Sequence, residues 1–221
     1  MSIESRLTGT GPMSSTIAPM EVDLVGPGGV FGRLKLPEIK TKSGGTTVQV
    51  HDQNIEITDM EAFKAFVKSL MGDKSLLLKL ANGKTTVKAF MMKTSMLYAK
   101  DIHLTGMDGL KSIITDVDIN GDGAFTSTVK VRNPSPVELD LGTTKQDIFN
   151  AGGEKIAEQG GKMYLLRGDS SYKMKGRVTG RITEETATIL GTGVEEDTWL
   201  DQVLAYYQGP VTLPRALISA T

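Results

Sequence analysis

Pro19-Met20-Glu21-Val22-Asp23-Leu24 and Pro136-Val137-Glu138-Leu139-Asp140-Leu141 set apolar residues at every second position, with acids between them. Alternation of period two describes a strand with one buried face and one wet face. The two segments lie 136 − 19 = 117 residues apart. The same order of features follows each. Gly44-Gly45-Thr46-Thr47-Val48-Gln49-Val50 stands against Gly160-Gly161-Lys162-Met163-Tyr164-Leu165-Leu166, each read as a Gly-Gly turn entering a strand. Ile55-Glu56-Ile57 stands against Tyr172-Lys173-Met174, and 172 − 55 is again 117.

A helix is expected next in both copies. Thr58-x-x-Glu61 has the form of a capping box, in which hydroxyl and carboxylate satisfy the first backbone N–H groups. Phe63, Phe66, Val67 and Leu70 then fall on one helical face, and Gly72 ends the run. In the second copy Thr198-x-x-Asp201 opens the helix. Leu200, Val203, Leu204 and Tyr207 form its face, and Gly209-Pro210 stop it. The offset there is 209 − 72 = 137, which places about 20 extra residues within Gly176 to Glu196. Asn82-Gly83, between Leu76–Leu80 and Thr85–Val87, reads as a hairpin turn, since both residues tolerate positive φ.

The expected architecture is therefore mainly β with short helices. It is read as tandem antiparallel β-sandwich repeats, each carrying one amphipathic helix. The expected divisions are a flexible lead-in at 1–12, an incomplete first repeat at 13–95 and a second at 96–221.

Composition narrows the chemistry. The chain of 221 residues carries a net charge of −1, so no strong overall basic field is available for nucleic acid. It contains no Cys, which excludes a disulfide framework, a thiol nucleophile and any zinc site built on thiolates. No apolar run reaches the roughly 18 residues of a membrane-spanning helix. The N-terminal segment lacks the apolar stretch of a signal peptide.

Val129-Lys130-Val131-Arg132-Asn133-Pro134-Ser135-Pro136-Val137-Glu138-Leu139-Asp140-Leu141-Gly142 resembles the Asn-Pro-Ser/Asn-Pro strand region of the late embryogenesis abundant, water-stress type domain. Three further stretches are Ile57–Phe63, Asn82–Ala89 and Leu104–Leu110. Together they resemble a fungal family of unknown function related to that plant domain. The likeness runs from about Ile17 to Gly176. It implies fibronectin-like sandwiches of seven strands, and membrane association through an anchor outside this chain. It implies no catalytic residues. Independently of any family, two prolines so close mark a corner between strands, because Pro cannot donate to a ladder.

Three functional readings stay open. The first is a non-enzymatic structural or interaction module with a protein or membrane partner. The second is a lipid or apolar-ligand domain lined by Phe63, Phe66, Met91 and Met92. The third is a calcium-dependent adhesion module. Asp118, Asn120 and Asp122 stand at positions 1, 3 and 5 of an EF-hand-like loop, but Val129 occupies position 12, where a bidentate Glu belongs. Arg167-Gly168-Asp169 is read as a turn. His51 and His103 are read as polar strand-end residues. Gly26-Pro27-Gly28-Gly29 lacks the Lys-Ser/Thr of a phosphate loop and is read as a connection. No cofactor is expected beyond the calcium alternative.

Overall fold

The alternation at Met20–Leu24 is realised as written. Met20, Val22 and Leu24 are buried, while Glu21 and Asp23 face outward toward Arg33 at 3.9 and 3.6 Å. This comes from a computed structural model, which describes residues 3–7, 14–50, 54–195 and 199–218. The chain divides into two compact units, Met1–Phe66 with Leu77–His103, and Val67–Leu76 with Leu104–Thr221.

The first part of the chain holds β1 (Ile3–Leu7), β2 (Ser15–Ile17), β3 (Met20–Gly26), β4 (Gly29–Leu36), β5 (Ile39–Thr41), β6 (Thr46–Val50) and β7 (Glu56–Ile57). Helix α1 (Met60–Gly72), β8 (Ser75–Ala89) and β9 (Met92–Thr105) follow. An open sheet runs β5-β2-β8-β3-β4-β7, with β9 also paired to β8. β1 pairs separately with β6, so residues 3–7, within the flexible lead-in expected at 1–12, form a strand. The boundary expected at 95/96 falls inside β9.

Helix α1 starts one residue later than the capping-box reading. Asp59 Oδ1 accepts the Ala62 N–H at 3.0 Å, and Glu61 pairs instead with Lys64 at 2.8 Å. An aspartate at the N-cap serves the same orphan donors as Thr and adds charge at the positive helix end. Its apolar face is the expected one. Val67 and Leu70 are buried, and the Phe66 ring stacks on Phe31 with centroids 4.8 Å apart. Gly28 lets the β3–β4 turn approach this helix: a Cβ there would lie 2.9 Å from Ala65 Cβ. That accounts for the glycine-rich run without any phosphate.

The second unit is where the repeat fails. Its strands are β10 (Ser112–Ile119), β11 (Ala124–Asn133), β12 (Leu139–Phe149), β13 (Lys155–Leu165), β14 (Gly168–Val178), β15 (Thr186–Val194) and β16 (Gln208–Thr212). They close as a barrel in the order β10-β11-β14-β13-β12-β15-β16, sealed by a parallel β10–β16 pair. A closed barrel replaces the expected sandwich. The extra residues of 176–196 are not an inserted loop. They supply β15, which bridges β12 and β16 and makes closure possible. Gly160-Gly161 lies within β13, not at a turn.

Among the described residues the second expected helix is not formed. Two short 3-10 turns, Trp199–Gln202 and Leu204–Tyr206, stand in its place; Thr198 lies outside the described residues. Val203, Leu204 and Tyr207 are nevertheless buried as the pattern required. Burial of three apolar residues is served equally by turns pressed on β15, where Asp201 Oδ1 accepts the Val194 N–H at 3.2 Å. A last short helix, α2 (Arg215–Ile218), ends the described chain. The barrel interior carries polar groups as well: Gln159 Nε2 donates to Gln146 Oε1 at 2.9 Å.

Candidate functional site

The residues named from the sequence do not gather. Phe63 and Phe66 pack on Phe31 and belong to the core under α1. Met91 and Met92 project from the tip of the β8–β9 hairpin. They do not line a common groove with the two phenylalanines.

Asp118, Asn120 and Asp122 are likewise occupied by backbone geometry. Asp118 sits in β10 opposite Thr126, and the Asn120 N–H and C=O close a tight turn with Ala124 and Gly123. Asp122 Oδ1 accepts the Ala124 N–H at 3.1 Å, and its Oδ2 meets Arg177 at 3.3 Å. The guanidinium stands where a cation would compete. Among the described residues no three His, Asp or Glu side chains cluster as a metal site. The loop is the hairpin connection between β10 and β11.

The Ala124 N–H, and then Arg177, hold the Asp122 carboxyl below the ordinary aspartate value. A depressed folded value favours folding above the unfolded value, and that contribution is lost as pH falls through the depressed one. The expected result is that Arg177→Ala moves the Asp122 titration upward by NMR, with only partial recovery because the Ala124 bond persists. No upward movement would remove Arg177 as a cause.

Arg167-Gly168-Asp169 is the β13–β14 turn, with Gly168 at φ 84° and the Arg167 N–H donating to Glu138 at 3.2 Å. His103 is exposed on β9, and His51 lies outside the described residues.

What the structure does present is the β8–β9 hairpin. Pro19 breaks the strand that flanks β8, so β8 pairs first with β3 and then with β2. The change of partner occurs at Asn82-Gly83, which is a kink inside β8 and not the expected hairpin turn. Asn82 adopts φ 58° and donates through Nδ2 to Asp23 at 2.8 Å. This one irregular residue reverses the alternation. Leu78 and Leu80 point inward before it, and Gly83 and Thr85 point inward after it. A one-residue slip exchanges the faces of a strand. Its consequence here is that Lys79, Lys84 and Lys88 are all exposed, despite odd and even numbers.

Gly83 faces Tyr98: a Cβ at Gly83 would lie 3.0 Å from Tyr98 Cβ. Tyr98 is half-buried, and burial pushes its phenol above the ordinary value. Strand alternation then puts Lys93 and Leu97 on the outward face with Lys84 and Lys88. Phe90 and Met91 make the turn. Phe90, Met91, Met92 and Leu97 are 91, 93, 70 and 65% exposed. An open groove of about 580 Å³ lies further along the strands, lined by Ala18, Pro19, Lys84, Thr85, Met96 and Leu97.

Phe90 holds φ at 57°, a region disfavoured for bulky residues and normally given to Gly at the first position of such a turn. Phe90→Gly is expected to raise stability by about 1 kcal/mol in urea unfolding, since strain of this kind costs roughly 1–3 kcal/mol and Gly returns part of it as entropy. A loss of stability would mean that the ring packs on the protein.

The sequence reading passed over this surface because it took charge as a total. Lys74, Lys79, Lys84, Lys88, Lys93 and Lys100 span 27 residues with no Asp or Glu among them. That local run was visible inside a chain of net charge −1.

An open sheet with one helix, followed by a closed barrel, defines a β-rich protein. The chain belongs to the family described as "Protein of unknown function (DUF3712)", whose profile matches residues 29–148. No curated protein matches it. Among solved structures, the CsuC–CsuE chaperone–tip adhesion subunit pre-assembly complex of Acinetobacter baumannii aligns with 96% of this chain and 92% of that one, at 10% identity and TM-score 0.24. The Amycolatopsis orientalis exo-chitosanase CsxA aligns with 96% of this chain but 25% of its own, at 11% identity and TM-score 0.28. CBD12 from CALX1.2 aligns with 96% and 93%, at 11% identity and TM-score 0.26. Likenesses of this size assign nothing to the chain. No helix among the described residues is long and apolar enough to cross a membrane.

Proposed function

We propose that this protein is a non-enzymatic binding module that works through an exposed surface and not through an enclosed site. The observation that carries the reading is the tip of the β8–β9 hairpin, where Phe90, Met91 and Met92 stand in solvent, with Leu97 and several lysines exposed further along the two strands. Successive large apolar side chains left in solvent are a mark of interaction surfaces. The resemblance of the chain to membrane-associated and stress-related domains points the same way. A second reading is an apolar-ligand carrier, favoured by the open groove beside Met96 and Leu97. Native mass spectrometry separates the two. The surface reading expects the bare chain mass after gentle purification. A bound apolar mass released on denaturation would replace it with the carrier reading, and specific turnover by the pure chain would overturn both.

A further inference from the structure

We propose that the β8–β9 hairpin docks on the surface of an anionic lipid bilayer, its tip entering the acyl boundary and its lysines holding the headgroups. The inference rests on the surface-binding reading above and names its partner. The tip is apolar at three successive residues, Phe90-Met91-Met92, each mostly exposed. Aromatic and thioether side chains suit this depth because they are bulky, apolar and adaptable.

The charge pattern selects the occupant. Lys84 and Lys88 on β8 and Lys93 on β9 flank the tip on one face. Among the described residues none of the three is ion-paired. An apolar protein groove would accept the tip but would gain little from a ring of free cations. A bilayer carrying anionic headgroups takes both at once. The tip crosses into the apolar layer while the lysine stems reach back to the phosphates. The kink at Asn82 contributes by turning Lys84 and Lys88 outward, since without it even positions of β8 would point inward like Leu78 and Leu80. The strained φ of Phe90 is consistent with a ring placed for a partner instead of for the fold.

The test is co-sedimentation of the full chain with phosphatidylcholine vesicles, with and without roughly one third phosphatidylserine, at low and high salt. The expected result is binding to the anionic vesicles alone, weakening as salt rises. Each lysine near an anionic surface is worth on the order of five-fold in affinity. The triple variant Lys84→Gln, Lys88→Gln, Lys93→Gln should therefore lose about a hundred-fold. The triple variant Lys111→Gln, Lys145→Gln, Lys162→Gln removes the same charge from exposed positions elsewhere and should bind like the parent. Phe90→Ser, Met91→Ser, Met92→Ser should lose binding at every salt concentration with its unfolding transition unchanged.

Equal losses from both lysine triples would overturn the site and leave only a net-charge effect. No vesicle binding, with self-association that the tip variant abolishes in sedimentation velocity, would overturn the lipid partner while keeping the surface-binding reading. No vesicle binding together with a ligand mass in native spectrometry would overturn both.

Discussion

Gly176→Ala should cost the protein about 3 kcal/mol or more, which is large against the few kcal/mol that hold a domain of this size. Gly176 lies in β14, opposite Phe125 of β11 on one side and Gln159 of β13 on the other. A Cβ there would stand 2.4 Å from the Glu158 carbonyl oxygen and 2.4 Å from Phe125 Cζ. The ring can turn aside only by leaving its buried seat. The carbonyl is backbone and can move only with β13. The barrel is closed, so a strand shift has no free edge through which to relax. The comparison is Gly121→Ala, where no atom lies within 4 Å of the added Cβ. That change should be neutral or stabilise by roughly 0.5 kcal/mol, through the unfolded chain alone. Urea midpoints of the two variants should move in opposite directions or differ by several-fold. Similar small shifts in both would show that the barrel yields at Gly176. Phe125→Leu in the Gly176→Ala background should restore part of the loss, because only the ring half of the clash is removed.

The fold was legible wherever one short segment settles one question. Alternation at Met20–Leu24, the apolar face of α1 and the double-proline corner each depend on neighbours within a turn or a strand. All three came out as the residue pattern required. The topology was not legible, for a physical reason. Gly160-Gly161 has the composition of a turn, but glycine also serves where strands crowd: a Cβ at Gly161 would lie 2.5 Å from the Lys173 carbonyl. Asn82-Gly83 has the composition of a hairpin, and Asn82 indeed takes the left-handed conformation. Yet there it bends a strand that changes partner. Residue type fixed the local backbone, and the partner strand decided what the backbone meant. Likewise 176–196 looked like an insertion because a repeat was assumed. Closure of the barrel by β15 depends on its pairing with β12, between residues 39 to 50 positions apart, as Thr144 with Val194.

The candidate surface was half legible. Met91 and Met92 were singled out, but as the lining of an apolar-ligand site, since an apolar residue in sequence reads first as enclosed. Their exposure follows from the two-residue turn at Phe90-Met91, which leaves no chain to cover them. The lysines were readable as a run without acids, but their common face was not. Odd and even positions on β8 point opposite ways until the Asn82 kink is known. Conversely, Asp118, Asn120 and Asp122 had a legible spacing, but the side-chain partner of Asp122 was not legible. Arg177, which engages Asp122, lies 55 residues away.

Asn133→Ala should lower stability by about 3–4 kcal/mol, on the ground that each buried polar group left unpaired costs roughly 1–3 kcal/mol. The corner Asn133-Pro134-Ser135-Pro136 joins β11 to β12 with Asn133 and Ser135 fully buried. The prolines remove two backbone donors outright. The donors that remain are met by side chains of the corner itself. Asn133 Oδ1 accepts the Ser135 N–H at 2.9 Å, and Ser135 Oγ accepts the Val137 N–H at 3.1 Å. Asn133 Nδ2 donates to the Val137 carbonyl at 2.9 Å. Alanine at 133 breaks two of these three bonds and leaves an N–H and a C=O behind. Ser135→Ala breaks one and should cost about half as much. The double variant should cost less than the sum, since the Asn133 bond holds Ser135 in place. Asn133→Asp distinguishes the donor from the acceptor. It keeps the bond from the Ser135 N–H but sets a carboxylate against the Val137 carbonyl. That variant should be least stable at neutral pH and recover as pH falls, when the protonated carboxyl becomes a donor. The folded-state value of this acid is then raised, so its penalty is present above that value and relieved below it. Urea unfolding of the four variants, at neutral and at acid pH, measures all of these differences. An Asn133→Ala shift under about 1 kcal/mol would mean that solvent reaches the corner and replaces the lost bonds.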